Sequence, residues 1–247
     1  MRKILTIAGI VLLCMPTLFV SWLLAAARLP ALDPLTMHLP MPMRSLVAEV
    51  AMKRVRPYQP SPILARVLRL DPSNPEAWRH RCNTPDAALS TNDRVALCAR
   101  AASFGDNEWV EHDLGDAQLA NNNPCAAEDA YRKATSIGAN LGYARVNNYS
   151  AGKAGLLCGD FELARASFAA ALFLDDKRLQ QEGAADTKVR QATQSSIAHD
   201  NGGLSIAYRG KHQDQLSQGA CVAGFPDYKT VCRCDLDKDN HVTCSGR

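Results

Sequence analysis

The chain has 247 residues, 47% of them apolar but only 6% aromatic, with a formal net charge of +3. That length holds one domain or two small ones, and a composition led by alanine and leucine suits helices better than sheets. Acids and bases interleave, and no basic stripe carries aromatics between its charges, so nucleic acid is excluded as an expected partner.

Residues 1–27 come first and read as a transmembrane anchor or a signal peptide. Arg2 and Lys3 precede an uncharged stretch from Ile4 to Ala27, long enough for a helix to cross a bilayer. A cleaved signal usually has a shorter apolar core, of about 7–15 residues, yet Ala25-Ala26-Ala27 offers the small residues a signal peptidase requires. Positive charge is nearly balanced across the segment, with Arg2 and Lys3 before it and Arg28 and Arg44 after it. Cysteine usage breaks the tie. Beyond residue 28 lie Cys82, Cys98, Cys125, Cys158, Cys221, Cys232, Cys234 and Cys244, and an even set in an exported domain implies disulfides. The expected location is the cell envelope: inner-membrane anchored with the C-terminal part periplasmic, or secreted if the signal is cleaved.

Residues 28–42 hold Pro30, Pro34, Pro40 and Pro42, a spacing that predicts an extended tether. Residues 43–56 place Leu46, Val47, Val50, Ala51 and Val55 at helical spacing, with Glu49, Lys53 and Arg54 largely opposite. Another helix runs from Ile63 to Leu70. In LDPSNPEAW (70–78), Pro72 pushes Asp71 out of helical geometry. Asn74 is placed to cap the next helix, and Pro75 fits its first turn. Trp78 is then the first large anchor. Such tight joints between consecutive helices, when they recur, mark a stack of helix pairs.

The unit does recur. Ala127, Tyr131 and Ala134 have the spacing of Ala164, Phe168 and Ala171, which lie 37 residues later. Gly159-Asp160-Phe161 forms a turn before the second set, and Leu114-Gly115 sits where one helix must approach its partner closely. These residues resemble the tetratricopeptide repeat. Leu114 and Gly115 match a first helix, Ala127, Tyr131 and Ala134 a second, then GDFELA (159–164) with Phe168 and Ala171; LDPSNPEAW looks like a repeat junction. The resemblance covers roughly residues 44–180. Its spacing exceeds the usual ~34, which places inserted residues near 138–147. Residues 79–93, with Pro85, look too broken for a full first helix.

The resemblance implies an all-α fold over residues 43–200, a right-handed stack of antiparallel helix hairpins whose first helices line a groove. The groove residues it implies are Trp109, His112, Asp116, Tyr149 and Lys153, a mixture of aromatic and charged groups that suits a peptide. In such a stack the start of a second helix meets the end of the next first helix, which pairs Cys125 with Cys158. Cys82 and Cys98 fall on two helices of one hairpin and form the second expected pair. Cys221, Cys232, Cys234 and Cys244 pair among themselves in an order the sequence leaves open.

After residue 180 apolar density falls. Residues 184–198 predict a polar capping helix with Val189, Ala192 and Ile197 facing back, ended by Asn201-Gly202-Gly203. Residues 204–220 have no clear period. Residues 201–247 are a Cys-rich tail, in which Thr230–Leu236 and His241–Thr243 flank a turn at 237–240 and predict a small stapled hairpin.

Motifs for chemistry are sparse. Cys232-x-Cys234 lacks the gap of a zinc pair, and no metal or other cofactor is expected. Asp235, Asp237 and Asp239 match the start of a calcium loop, but Asn240 fills its glycine slot and Gly246 its bidentate acid slot. The six histidines are scattered, and His199-Asp200 reads as a solvated helix end, so an enzyme is not expected. The expectation is a membrane-anchored, exported protein–protein interaction scaffold or assembly factor. The alternative is a secreted disulfide-rich or calcium-binding module with the helices as support.

Overall fold

The structure, a computed structural model, describes residues 20–56, 61–84, 89–138, 141–181, 187–227 and 232–246. The chain forms two compact units, residues 1–90 and 91–247.

In the first unit, residues 20–28 are helical. A 3₁₀ turn, Pro30–Leu32, leads into α1 (Asp33–Met37), α2 (Met41–Met52), α3 (Pro62–Leu70) and α4 (Pro75–Asn83). The expected tether is therefore helical. Pro30, Pro34 and Pro42 each occupy a first turn, where no amide partner is lost. The joint at 70–78 forms by side-chain capping. Asp71 accepts from the Ser73 amide and hydroxyl at 3.0 and 2.6 Å. Asn74 Oδ1 accepts from the Ala77 amide at 2.9 Å, and Trp78 Nε1 donates to the Pro72 carbonyl at 2.9 Å. Val47, Ala48, Ala51, Leu64, Val67, Leu70 and Ala77 form one core with Ala26 and Ala27. Beside it Arg66 is buried. Its guanidinium donates to the Ala26 and Ala27 carbonyls at 2.5 and 2.9 Å and to Asp33 at 2.7 Å. The carbonyls at a helix C-terminus have no partner of their own, and the guanidinium fork supplies one. Among the described residues no helix is long and apolar enough to cross a membrane; residues 4–19 of the apolar segment lie outside the description.

The second unit contains α5 (Thr91–Ala102), α6 (Glu108–Ala120), α7 (Pro124–Ile137), α8 (Leu141–Cys158), α9 (Phe161–Gln181), α10 (Thr187–Gly210) and α11 (Asp214–Gly224), then β1 (Cys232–Leu236) and β2 (Val242–Gly246). Each helix packs on its sequence neighbours, and α8 also touches α10. The closeness comes from missing side chains. A Cβ on Gly115 of α6 would lie 2.5 Å from the Tyr131 ring, and one on Gly152 of α8 would lie 2.9 Å from the Phe168 ring. Both glycines and both rings are 37 residues apart, so the repeat is one of packing as well as of sequence. Tyr131 and Phe168 are 1% and 0% exposed, filling the space beside those glycines. A disulfide joins Cys125, in the first turn of α7, to Cys158, the last residue of α8, which fixes these two helices as antiparallel. Cys82 and Cys98 are each disulfide-bonded as well.

The C-terminal region departs from expectation. The helix expected to stop at Asn201-Gly202-Gly203 runs on to Gly210, and the 204–220 stretch contains its end, a turn at His212 (φ 58°) and the start of α11. Helical glycine costs roughly 1 kcal/mol, but here packing requires it. A Cβ on Gly203 would meet the Phe168 ring at 2.5 Å, and one on Gly202 would meet Val242 at 2.6 Å. Of the residues expected to face inward, Val189 and Ile197 are half-buried and Ala192 is exposed; Thr193, Asp200 and Leu204 are the buried ones. Residues 182–186 lie outside the description.

The hairpin forms, with β1 antiparallel to β2 and Leu236 opposite Val242. Asp237 makes its turn by accepting from the Asp239 and His241 amides at 2.9 and 2.8 Å, and Asn240 takes a left-handed φ of 60°. It is no separate tail, because both strands pack on α10 and Leu236 joins the core around Phe168.

Candidate functional site

Side chains from α6, α8 and α10 meet one another in the second unit. Asn107 caps α6 by accepting from the Trp109 and Val110 amides, which sets the angle of the following turn. Trp109, His112 and Asp116 then fall one turn apart. The Trp109 ring lies 3.5 Å from the Tyr143 ring, centroid to centroid, tilted by 52°. His112 Nδ1 is 2.7 Å from Asn147 Oδ1, its Nε2 is 3.8 Å from Asp116 Oδ2, and its ring lies 5.2 Å from Tyr131. The Tyr131 hydroxyl donates to Asp116 at 2.6 Å. Burial, reinforced by that carboxylate, holds the Tyr131 phenol far above its ordinary pKa.

On α8, Tyr149 sets its ring edge against Phe168 at 5.7 Å. The Arg145 guanidinium and the Lys153 ammonium lie 5.0 and 5.9 Å from its centre, within cation–π range. Burial lowers the Lys153 pKa, while Asp116 and Asp237 act the other way.

The expected residues therefore form two groups. Trp109, His112 and Asp116 stand together on α6; Tyr149 and Lys153 stand one repeat further on. His112 and Tyr149 are 37 residues apart, as are Asp116 and Lys153, and Trp109 and Val146. Trp109 and Val146 are 37% and 38% exposed, so this shared position leaves apolar surface open in both units of the repeat.

Sequence reasoning missed Tyr143, Asn147 and Val146. The 37-residue offset from Trp109 points to Val146; for Tyr143 and Asn147 no periodic signal exists. It also misread Asp200. Instead of a solvated helix end, Asp200 is fully buried, accepting from Arg145 at 3.1 Å; Arg145 also donates to Asp175 at 3.0 Å. His199 turns away, its Nδ1 2.7 Å from the Ser195 carbonyl. Burial raises the Asp200 pKa to about 8; Arg145 opposes this and Asp175 adds to it. One arginine thus ties α8 to α9 and α10 at the foot of Tyr149.

The hairpin acids are engaged as well. Asp235 accepts from Arg209 at 2.5 Å and from Arg233 at 2.9 Å, and backbone amides hold the Asp237 pKa below the ordinary carboxylate range. Cys221, Cys232 and Cys234, whose sulfurs cluster, lie in disulfides Cys221–Cys232 and Cys234–Cys244.

Comparison with protein families and with curated proteins finds no match to this chain.

Proposed function

We propose that this chain is a membrane-anchored, exported interaction scaffold or assembly factor, similar to tetratricopeptide-repeat proteins, that binds a polypeptide partner along the face built by α6, α8 and α10. One observation carries the reading: alternate helices meet through their side chains, at Trp109–Tyr143, His112–Asn147 and Arg145–Asp200. That juxtaposition is what a right-handed stack of hairpins produces on its inner surface, where first helices line a groove. Half-exposed Trp109, Val146 and Lys153 supply the aromatic, apolar and cationic elements that peptide recognition draws on.

The face on α6, α8 and α10 reads as a binding surface. His112 and Asp116 are held by Asn147 and Tyr131, a set that fixes the surface in one geometry. Export is supported by the disulfides. Anchoring, rather than release after Ala27, is supported by Arg66: cleavage there strips two carbonyl partners from a buried guanidinium and removes Ala26 and Ala27 from the core. The calcium alternative fares worse, since Asp235 and Asp237 are already satisfied by arginines and amides.

The test is quantitative capture of envelope partners by the full chain and by its Trp109→Ala and Lys153→Ala variants, with helicity checked by circular dichroism. We expect a folded variant to lose at least about tenfold in capture, the scale of a buried aromatic anchor. Unchanged capture by both variants contradicts the proposed face.

A further inference from the structure

The two disulfides of the C-terminal hairpin touch. Cys221–Cys232 joins α11 to β1, and Cys234–Cys244 joins β1 to β2. Cys232 and Cys234 stand two residues apart on one strand, so both point to the same side. Cys221 therefore faces both. Bonded to Cys232, its sulfur also lies 3.1 Å from the Cys234 sulfur. Cys221 and Cys234 are fully buried and Cys232 is nearly so; Cys244 is partly exposed. The Cys232 amide donates to the Gln218 side-chain oxygen at 3.4 Å. Gly202 lets the Cys234 and Cys244 sulfurs settle against α10. The packing thus fixes the distance between two disulfides that a stapling role alone would leave apart.

We propose that these four cysteines form a thiol–disulfide exchange site for the dithiol of a partner polypeptide, with Cys244 as the point of entry and Cys234 as the internal relay. A substrate thiolate attacks the Cys244 sulfur. A bond forms between them, the Cys234–Cys244 bond breaks, and Cys234 departs as a thiolate. That thiolate is already in contact with Cys221. It attacks the Cys221 sulfur, Cys221–Cys234 forms, and Cys232 leaves with the electron pair and takes up a proton. The substrate's second thiolate then attacks its own sulfur in the mixed disulfide. The substrate leaves as a disulfide, oxidised by two electrons, and Cys244 is released as a thiol. The protein gains those two electrons and retains one bridge, Cys221–Cys234, with thiols at Cys232 and Cys244. Exchange proceeds by thiolate attack on a disulfide sulfur, so access and contact decide which sulfur reacts. Of the four, Cys244 is the least buried residue and Cys234 makes the contact with Cys221.

The experiment is thiol mapping on the full chain. In a Cys244→Ser variant, acid quench, alkylation and peptide mass spectrometry should find the remaining hairpin thiol divided between Cys232 and Cys234, with a Cys221–Cys234 bridge present. Alkylation of Cys234 alone, with every Cys221 joined to Cys232, overturns the proposal. A Cys232→Ser variant gives the same decision should the first fail to accumulate. It leaves a Cys221 thiol beside the other bridge, and the expected product is Cys221–Cys234 with Cys244 free. Wild-type protein given one equivalent of dithiothreitol should show hairpin thiols at Cys232 and Cys244, with a Cys221–Cys234 bridge. Hairpin thiols at Cys234 and Cys244, with Cys221 still joined to Cys232, contradict a built exchange site.

Discussion

Replacing Asp200 with asparagine should make the protein more stable, and increasingly so as pH rises. Asp200 is fully buried against Arg145 and Asp175, and its pKa rises from 3.8 to about 8. The folded chain therefore holds a proton that the unfolded chain releases. Such a group contributes its full stability below its unfolded pKa and loses it as pH climbs through the folded value. Each pH unit within that window removes about 1.4 kcal/mol, so moving from pH 5 to pH 8 removes at most about 4 kcal/mol. Relaxation around the site and water reaching it reduce this, and we expect about 2–3 kcal/mol. Asparagine does not titrate. Its oxygen can accept from Arg145 and its amide can donate to Asp175, so the packing survives. The assay is urea denaturation followed by circular dichroism at pH 5, 6.5 and 8, reading the difference between wild type and variant. That difference should grow with pH in favour of asparagine. A constant difference, or a variant that weakens as pH rises, refutes the buried neutral carboxyl.

Other expectations follow from the packing. Gly152→Ala places a Cβ 2.9 Å from Phe168 and should lose about 1–2 kcal/mol to overpacking. Gly219→Ala, with nothing within 4 Å, should gain roughly 0.5–1 kcal/mol; thermal melts of the pair separate close approach from helix propensity. Removing Cys125–Cys158 by a double serine substitution opens a loop with a sequence separation of 33, and chemical denaturation should show a loss of about 2–4 kcal/mol. Arg66→Met strips partners from the Ala26 and Ala27 carbonyls and from Asp33. It should cost about 3 kcal/mol and expose the chain near residue 28 to limited proteolysis.

The helix hairpins were legible because their signals are local. Asp71-Pro72 and Asn74-Pro75 cap and stop helices wherever they occur, and Ala127, Tyr131 and Ala134 repeat as a set. The same period puts His112 and Tyr149, and Asp116 and Lys153, at matching places on α6 and α8. The charged anchor was not, since Arg145, Asp175 and Asp200 come from three helices and none is periodic. The prolines of 28–42 misled because a proline that ends one helix also starts another. Asn201-Gly202-Gly203 misled because glycine usually marks a helix end, whereas here two helical glycines admit Phe168 from one side and Val242 from the other. The fusion of the hairpin with the helices depends on those same long-range contacts, which no window of sequence contains.

The proposed binding face is tested most directly by a photo-crosslinking residue placed at Val146, with a second at Arg132 on α7 as the reference. Val146 is 38% exposed on α8 beside Tyr143, Asn147 and Tyr149, and Arg132 is exposed as well. In intact envelopes we expect one dominant polypeptide adduct from position 146, lost when Trp109 is also changed to alanine, and none from position 132. No adduct at 146, or equal adducts from both positions, would contradict a partner lying along α6, α8 and α10.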